Sequence, residues 1–373
     1  MNDNQAQIVI IGGGLAGMAL ALILSEYGIS AQIYDARPVE AVGQDERMLA
    51  LSHGSWQILA QLGLMHSLQT AGKLAAISEV NVSQRNCYGR TRITAEQENL
   101  PALGFVVRAG DLALTMLQKS QDRNIVINHQ QPVSPHDFPK ALLLIRAEGK
   151  CEQSKVVEYQ QSAIICNVSC TTPHRNIAWE RFTPQGPLAL LPLPGKANSY
   201  ALVLTESANQ APWVEAMNDS EFLLFLQHRF GFGLAFCSVT PRLIFPLTLS
   251  YRRRVFEGNT VWVGNSAQIL HPIAGQGFNL ALRDVYELAC LLADSVENLA
   301  QSEKLTVVLN QYARQRFLDR TPAIAFTHGL VKLFGLNLPF QKSIRGAGLL
   351  MLDILPTMKS FLARRMIFGN RGI

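Results

Sequence analysis

Gln7-Ile8-Val9-Ile10-Ile11-Gly12-Gly13-Gly14-Leu15-Ala16-Gly17 decides the fold of this chain. The β-branched run Gln7–Ile11 ends on glycines, which predicts a short buried parallel strand. Leu15–Tyr27 is rich in Ala and Leu and predicts a helix, and Ala31–Tyr34 predicts a second strand ending at Asp35. Strand, glycine turn, helix, strand is a βαβ unit. The turn itself is a G-x-G-x-x-G. Gly12 permits the tight turn, Gly14 the close approach of a pyrophosphate, and Gly17 the packing of helix on strand. The free N–H groups of Leu15 and Ala16 then face the anion. Asp35, followed by Ala36, stands 18 residues after Gly17, where a carboxylate accepts hydrogen bonds from ribose hydroxyls. A plain glycine-rich turn would need neither the following helix nor the acidic strand end.

Outward from this unit, Ser55–Leu62 and Asp111–Ser120 predict weaker helices, and Ala141–Ile145 another apolar strand. Between Tyr159 and Thr205 the pattern changes. Ser162–Val168, Ala178–Phe182, Leu188–Leu191 and Tyr200–Leu204 are short strands separated by Pro and Gly turns, as in an antiparallel sheet. Asp219–Phe230 predicts an amphipathic helix, Thr260–Val263 a return to the buried parallel pattern, and Gln276–Asn298 and Glu303–Arg320 long helices. Ala323–Ile373 reads as helical, interrupted at Pro339 and Pro356. The expected fold is α/β. A doubly wound, Rossmann-like nucleotide-binding domain (1–75, 101–155 and 255–322) is discontinuous in sequence. An antiparallel-sheet substrate domain (76–100 and 156–254) is inserted into it, and a C-terminal helical segment (323–373) follows.

Composition narrows the class. Hydrophobic residues make up 48% of the 373 and charged residues 16%, which excludes a disordered chain. The net charge is +5, but from Ala323 onward seven basic residues (Lys332, Lys342, Arg345, Lys359, Arg364, Arg365, Arg371) face Asp353 alone, a local charge of +6. The basicity therefore belongs to one segment, and no basic stripe with stacking aromatics points to nucleic acid. Six scattered cysteines form no C-x-x-C pair and, with no secretory signal, read as reduced thiols of a cytoplasmic protein. No apolar run reaches the length of about 20 residues that a membrane span needs.

A second glycine-rich stretch selects the dinucleotide. Gly264-Asn265-Ser266-Ala267-Gln268 follows the Thr260–Val263 strand, and His271-Pro272-Ile273-Ala274-Gly275-Gln276-Gly277-Phe278-Asn279 leads into a long helix carrying Asp284. Asn265 suits a hydrogen bond to a ribityl hydroxyl. The helix entry near Gly277 offers its dipole and free N–H groups to a negatively charged flavin ring. Two separate nucleotide-type turns fit FAD, which is long enough to need both.

These residues resemble the group A flavoprotein aromatic hydroxylases, and among them the ubiquinone-biosynthesis hydroxylases, in detail the 2-polyprenyl-6-methoxyphenol hydroxylase branch. His271–Asn279 with Arg283-Asp284 looks like that group's signature, with Ala281 where Gly is usual. Asp45-Glu46-Arg47 through Ala50-Leu51-Ser52 is similar to its D-x-R-x-x-A-L segment. Glu180-Arg181-Phe182-Thr183 with Gly186–Ala189 and Leu191-Pro192 is similar to its substrate-side sheet. The resemblance implies FAD held by Gly12, Gly14, Leu15, Ala16, Gly17, Asp35, Ala36, Arg47, Arg108, Glu148, Asn265, Gly275, Gln276, Gly277, Phe278 and Asn279. It implies a flavin loop at Pro272–Gly275, with His271, Pro272 and Gly275 as the catalytic candidates and no metal. The implied reaction hydroxylates the ring of a polyprenyl phenol, using O2 and NAD(P)H through a flavin C4a-hydroperoxide. The implied surroundings are the cytoplasm, the inner face of a membrane or a ubiquinone-biosynthesis complex.

Two departures keep rivals open. The group's A-D-G stands here as Ala147-Glu148-Gly149, the stretch from Arg108 to Glu148 is shorter than the group's, and the Arg or Asn that the resemblance leads one to expect around Gly110 is absent. A flavin dehydrogenase or oxidase without oxygen insertion is one rival. A weakly active FAD-bearing subunit of a biosynthetic complex is the other. His271, placed before Pro272, suits loop geometry as well as proton transfer. Cys166 and Cys170, four apart in a strand, read as small hydrophobes. Phe334, Leu336, Leu338, Phe340, Leu349 and Leu350, interleaved with Lys and Arg, read either as a solvated face or as a membrane-surface contact.

Overall fold

The structure is a computed structural model that describes residues 8–85, 89–295, 302–335, 353 and 355–369. Its nucleotide layer is a sheet of β1 (Ile8–Ile11), β2 (Ala31–Tyr34), β8 (Ile127–Asn128), β9 (Leu143–Arg146), β16 (Phe256–Glu257) and β17 (Thr260–Trp262), in the order β16-β17-β9-β1-β2-β8. All neighbours are parallel except β16 and β17. β1 is buried on both faces because layers cover both. Ile8 and Ile10 pack into the main core with α1 (Leu15–Glu26) and α7 (Gln276–Ala293), whereas Val9 and Ile11 pack with Leu144, Tyr34 and Phe138. Burying each such side chain contributes about 2 kcal/mol, which is why the run tolerates no polar residue. α1 is buried from Gly17 through Leu24, so its Ala/Leu composition suits an all-round apolar environment. α4 (Ala109–Asp122) packs beside it.

The second sheet contains β5 (Glu79–Gln84), β6 (Arg90–Thr94), β10 (Lys155–Cys170), β11 (Ile177–Thr183), β12 (Gly186–Pro192), β13 (Ser199–Ser207), β15 (Leu243–Tyr251) and β18 (Gln268–Ile269). Their order is β18-β15-β10-β13-β12-β11-β5-β6, and β14 (Phe236–Val239) pairs with the end of β10. The pairings are antiparallel except β5 with β11, which is parallel. One face buries Ile164, Cys166, Val168, Leu188, Leu190, Leu202 and Leu204 against α5 (Ala211–Glu215) and α6 (Asp219–Phe230). The start of α6 is fixed by Asn218, whose Oδ1 accepts from the Glu221 N–H at 3.0 Å while Glu221 accepts from the Asn218 N–H at 3.1 Å. Cys166 and Cys170 lie in this core, where burial pushes their thiols up to about 12 and about 11. Among the described residues no cluster of His, Cys, Asp and Glu could hold a metal.

A small antiparallel sheet, β3 (Met48–Ser52), β7 (Gly104–Arg108) and β4 (Leu74–Ile77), joins the two layers, with α2 (His53–Gln61) and α3 (Leu64–Thr70) following β3. These strands, β5, β6 and β15 stand where the sequence pattern predicts no element. Boundaries at 155/156 and 322/323 fall inside β10 and inside α8 (Ser302–Gly335). α8 does not stop at Arg320 but runs through Pro322. A proline there leaves the Leu318 carbonyl without its helical donor. Arg365 Nη2 donates to that oxygen at 3.0 Å, which repairs the break.

Arg365 lies on α9 (Pro356–Phe368), which starts at Pro356; Pro339 is outside the described residues. The described cations of α9 are not a free basic face. Lys359 bonds Asp353 and the Arg92 carbonyl, both at 3.2 Å, and Arg364 reaches Glu98 at 3.4 Å. Of the apolar residues read with them, Leu336, Leu338, Phe340, Leu349 and Leu350, together with the Phe334 side chain, lie outside the described residues.

Candidate active site

The first glycine turn needs its glycines for different reasons. A Cβ on Gly12, which has φ +112°, would lie 2.5 Å from the Ala147 carbonyl, and one on Gly17 only 2.0 Å from the Gly12 carbonyl oxygen. Both positions are closed by protein. Gly14 is different: a Cβ there meets nothing nearer than Arg37 Nη2 at 4.0 Å. Gly14 also caps α1 without a side-chain hydrogen bond, so the first N–H groups of the helix, from Leu15 on, face open space. That space is where a pyrophosphate fits, and its donors suit one.

Asp35 ends β2 with its side chain almost wholly buried. Burial opposes its ionisation, but hydrogen bonds from the Arg37 guanidinium (2.8 and 3.1 Å), the Arg37 N–H (2.9 Å) and the Gly13 N–H hold its carboxyl below the usual range. Arg37 was not singled out by sequence reasoning. Its signal is a cation two residues after the acidic strand end, and it stands over the open side of Gly14. Ala36 is exposed beside it.

The second turn lies directly against the first. A Cβ on Gly264 (φ +57°) would be 3.3 Å from the Ala16 Cβ, so residues 248 apart in sequence form one surface. Asp284, one of the most buried groups, accepts from the Gly264 N–H at 3.0 Å and from Gln268 Nε2 at 2.6 Å. Arg316 Nε donates to its other oxygen at 2.7 Å and ties it to Asp319 and Arg283. This network sets the turn and leaves Asn265 exposed on it. Past the loop, Gly275 takes φ +60° and caps α7 with no side chain, and a Cβ on Gly277 would meet nothing within 4 Å. The start of α7 is thus a second open helix N-terminus.

Asn279 holds that N-terminus to β3. Its amide donates to the Ala50 and Gly275 carbonyls at 2.8 Å and accepts from the Ser52 N–H at 2.8 Å. The side chain is spent on positioning, not left free for a ligand. Gln276 is buried and donates to the Met366 carbonyl at 3.4 Å, so α9 braces the same loop. Phe278 packs on the main core.

Arg47 is half-exposed and paired with Asp45 at 2.6 Å. Arg108 binds Asp111 at 2.9 Å, Glu46 at 2.7 Å and the Gly43 carbonyl at 3.1 Å. The pairing of Met48 with Arg108 brings the two arginines to one end of the small sheet. Gly110 has a physical cause: a Cβ there would lie 2.2 Å from the Gly43 oxygen. Glu148 follows Ala147, whose N–H donates to Ile11 at 2.7 Å; its carboxylate pairs with Arg146, and the Gly149 N–H reaches Ser266 Oγ at 3.1 Å. The Ala-Glu-Gly turn therefore touches both glycine turns.

His271 is sealed inside the protein. Its Nδ1 accepts from the Ile273 N–H at 3.3 Å, its ring meets Tyr159 edge-on, and Nε2 has no partner. Burial pushes its pKa down to about 4, so the ring is neutral at pH 7. The geometry argues for a buried brace of the Pro272–Gly275 loop rather than a proton carrier.

The FAD binding domain family matches residues 5–162 and 143–318. Ubiquinone hydroxylase UbiL of Rhodospirillum rubrum is 30% identical over 97% of this chain and 89% of its own length. The 3-demethoxyubiquinol 3-hydroxylase of Escherichia coli is 25% identical over 96% of this chain and 97% of its own. In structure, p-nitrophenol 4-monooxygenase PnpA of Pseudomonas putida overlays with a TM-score of 0.73 over 98% of each chain at 13% identity. The probable FAD-dependent monooxygenase PqsL of Pseudomonas aeruginosa overlays at 0.72, covering 92% of this chain and 98% of its own at 16% identity. Adjoining glycine turns, open helix N-termini and matches along nearly the whole chain agree: the protein belongs to the FAD-binding monooxygenase family that includes the ubiquinone hydroxylases.

Proposed function

We infer that the protein is an FAD-dependent aromatic hydroxylase of ubiquinone biosynthesis, which places one oxygen atom of O2 on the ring of a polyprenyl phenol with NAD(P)H as reductant. The observation that carries this reading is the contact of the two glycine turns, Ala16 against Gly264, with an open helix N-terminus on each side. One turn suits the pyrophosphate, and the other suits the ribityl chain and the ring. Bound FAD supplies electron transfer and O2 activation. The chain's own residues bind and orient. Gly14, Leu15 and Ala16 offer N–H groups to the pyrophosphate, with Arg37 alongside. Asp35, ionised, accepts from ribose hydroxyls once Arg37 swings aside. Asn265 reaches the ribityl chain, and the start of α7 at Gly275–Gly277 faces the ring. Glu148 sits where it can influence reduction by NAD(P)H.

The phenol's tail makes a membrane surface the natural source of substrate. No described helix is long and apolar enough to cross a membrane. α9 exposes Met358 and Phe361, and α8 exposes Phe317 and Leu318, and these residues support peripheral contact. Mass spectrometry of quinone intermediates in a deletion strain tests the reading. A polyprenyl phenol lacking one ring hydroxyl should accumulate, and an unchanged quinone profile would refute it.

A further inference from the structure

Glu180 is a carboxyl group without an explanation in the fold. Along β11, Trp179 packs edge-on against Phe230 and the Arg181 guanidinium lies over the same ring, so both point to the α6 side of the second sheet. Strand alternation turns Glu180 the other way, with Ala178 and Phe182. That face belongs to the cluster in which Ala178 packs with Ile77, Val106, Ala363 and Ile367, and against Ala50. A Cβ on Gly275 would be 3.1 Å from the Ala50 Cβ, so this cluster adjoins the flavin loop. Glu180 stands two residues further along the strand, about 7 Å from Ala178. Its Oε1 is closed to solvent and has no hydrogen-bond partner. Burial pushes its pKa up to about 8, so it is un-ionised at neutral pH and can both donate and accept.

The register places a row of side chains beside it. Glu180 pairs with Ala189, Ala189 with Val203, Val203 with Ile165 and Ile165 with Leu243. Beyond Glu180 on β11 the whole row is apolar. Ala189, Val203 and Ile165 are only partly covered, and Leu243, at the far end, is 52% exposed. Four strand steps at about 4.8 Å give a track of about 19 Å from Glu180 to Leu243.

We propose that Glu180 anchors the ring hydroxyl of the phenol substrate and that the Ala189–Val203–Ile165–Leu243 row carries its prenyl tail to the sheet edge. This rests on the hydroxylase reading and adds to it a head-group contact and a tail path. A carboxyl oxygen closed to solvent with no partner is costly to keep, and a substrate hydroxyl offsets that cost when bound. The same cost means that Glu180→Ala should fold and load FAD as the wild type does.

The test is equilibrium binding to the purified holoprotein at pH 7, read from the flavin spectrum, with farnesylphenol and phenol as probes. Glu180→Ala should weaken both at least tenfold. Glu180→Gln, which restores a neutral donor and acceptor, should stay within about threefold of wild type. Leu243→Asp, at an exposed site, should weaken farnesylphenol several-fold and leave phenol unchanged. Wild-type affinity for both probes in Glu180→Ala overturns the anchor. An equal effect of Leu243→Asp on both probes, or no effect on either, overturns the tail path. A wild-type protein that binds neither probe refutes the hydroxylase reading itself.

Discussion

Replacing His271 with asparagine should change how the protein responds to acid, because His271 is buried as a neutral ring. Free histidine takes up its proton near pH 6.5, whereas burial holds His271 neutral down to about pH 4. Above pH 6.5 the ring is neutral both folded and unfolded, and its titration costs nothing. Below pH 6.5 only the unfolded chain gains the proton, so stability falls as pH drops toward 4. Each pH unit in that window costs about 1.4 kcal/mol, and about 3 kcal/mol is lost across it. Asparagine keeps an acceptor for the Ile273 N–H but does not titrate. Its loss of the Tyr159 contact should make the variant less stable than wild type at pH 7.5. Urea unfolding at pH 7.5 and 4.5 checks this. The wild-type advantage should shrink by about 2–3 kcal/mol at the lower pH. An advantage that stays constant within about 0.5 kcal/mol would show that His271 is protonated in the folded protein, and would restore it as a candidate proton carrier.

The glycine turn gives a paired test. Gly14→Val should empty the FAD site while leaving the apoprotein's melting temperature nearly unchanged, since a Cβ there meets nothing nearer than Arg37 Nη2 at 4.0 Å, while Gly17→Ala should also destabilise the fold because its Cβ meets a carbonyl at 2.0 Å. Full flavin content in Gly14→Val would remove the pyrophosphate from that position. For the Ala-Glu-Gly turn, stopped-flow reduction by NADPH should be as fast or faster in Glu148→Asp and slower in Glu148→Ala, with FAD retained in both; equal rates in all three proteins would detach Glu148 from the nicotinamide. Met358 and Phe361 changed to Ser should weaken co-sedimentation with anionic vesicles at low salt. Unchanged sedimentation would leave these exposed side chains without that role. Arg365→Met should lower the melting temperature slightly, because it strips the exposed Leu318 carbonyl at Pro322 of its donor, a loss of at most about 1 kcal/mol.

The parts of the fold legible in sequence are those where one local signal suffices. β1, the glycine turn, α1 and β2 follow from β-branched residues and glycines, and α6 from its amphipathic pattern. β10 was legible only from Ser162, because its register slips between Glu158 and Gln161 and Gln160 takes φ +52°. β3 and β7 escaped notice because their partners are distant in sequence and their pattern does not alternate. α8 was cut short at Pro322, since the repair comes from Arg365, 43 residues on. The glycine turns of the site were legible because steric demands act on single residues. Glu180 was legible only as part of a segment resembling the substrate-side sheet, and its inward orientation was not, because a charged residue between Trp and Arg in a strand looks like a solvated one. Only the sheet register shows which way it faces.

Incubation of the purified protein with FAD, NADPH, ¹⁸O2 and a polyprenyl phenol tests the central claim most directly. One ¹⁸O atom is expected on the ring of the product, with none taken from water. NADPH oxidised at the expense of O2 with no label entering the phenol, in the presence of bound substrate, would contradict it and leave a flavin oxidase.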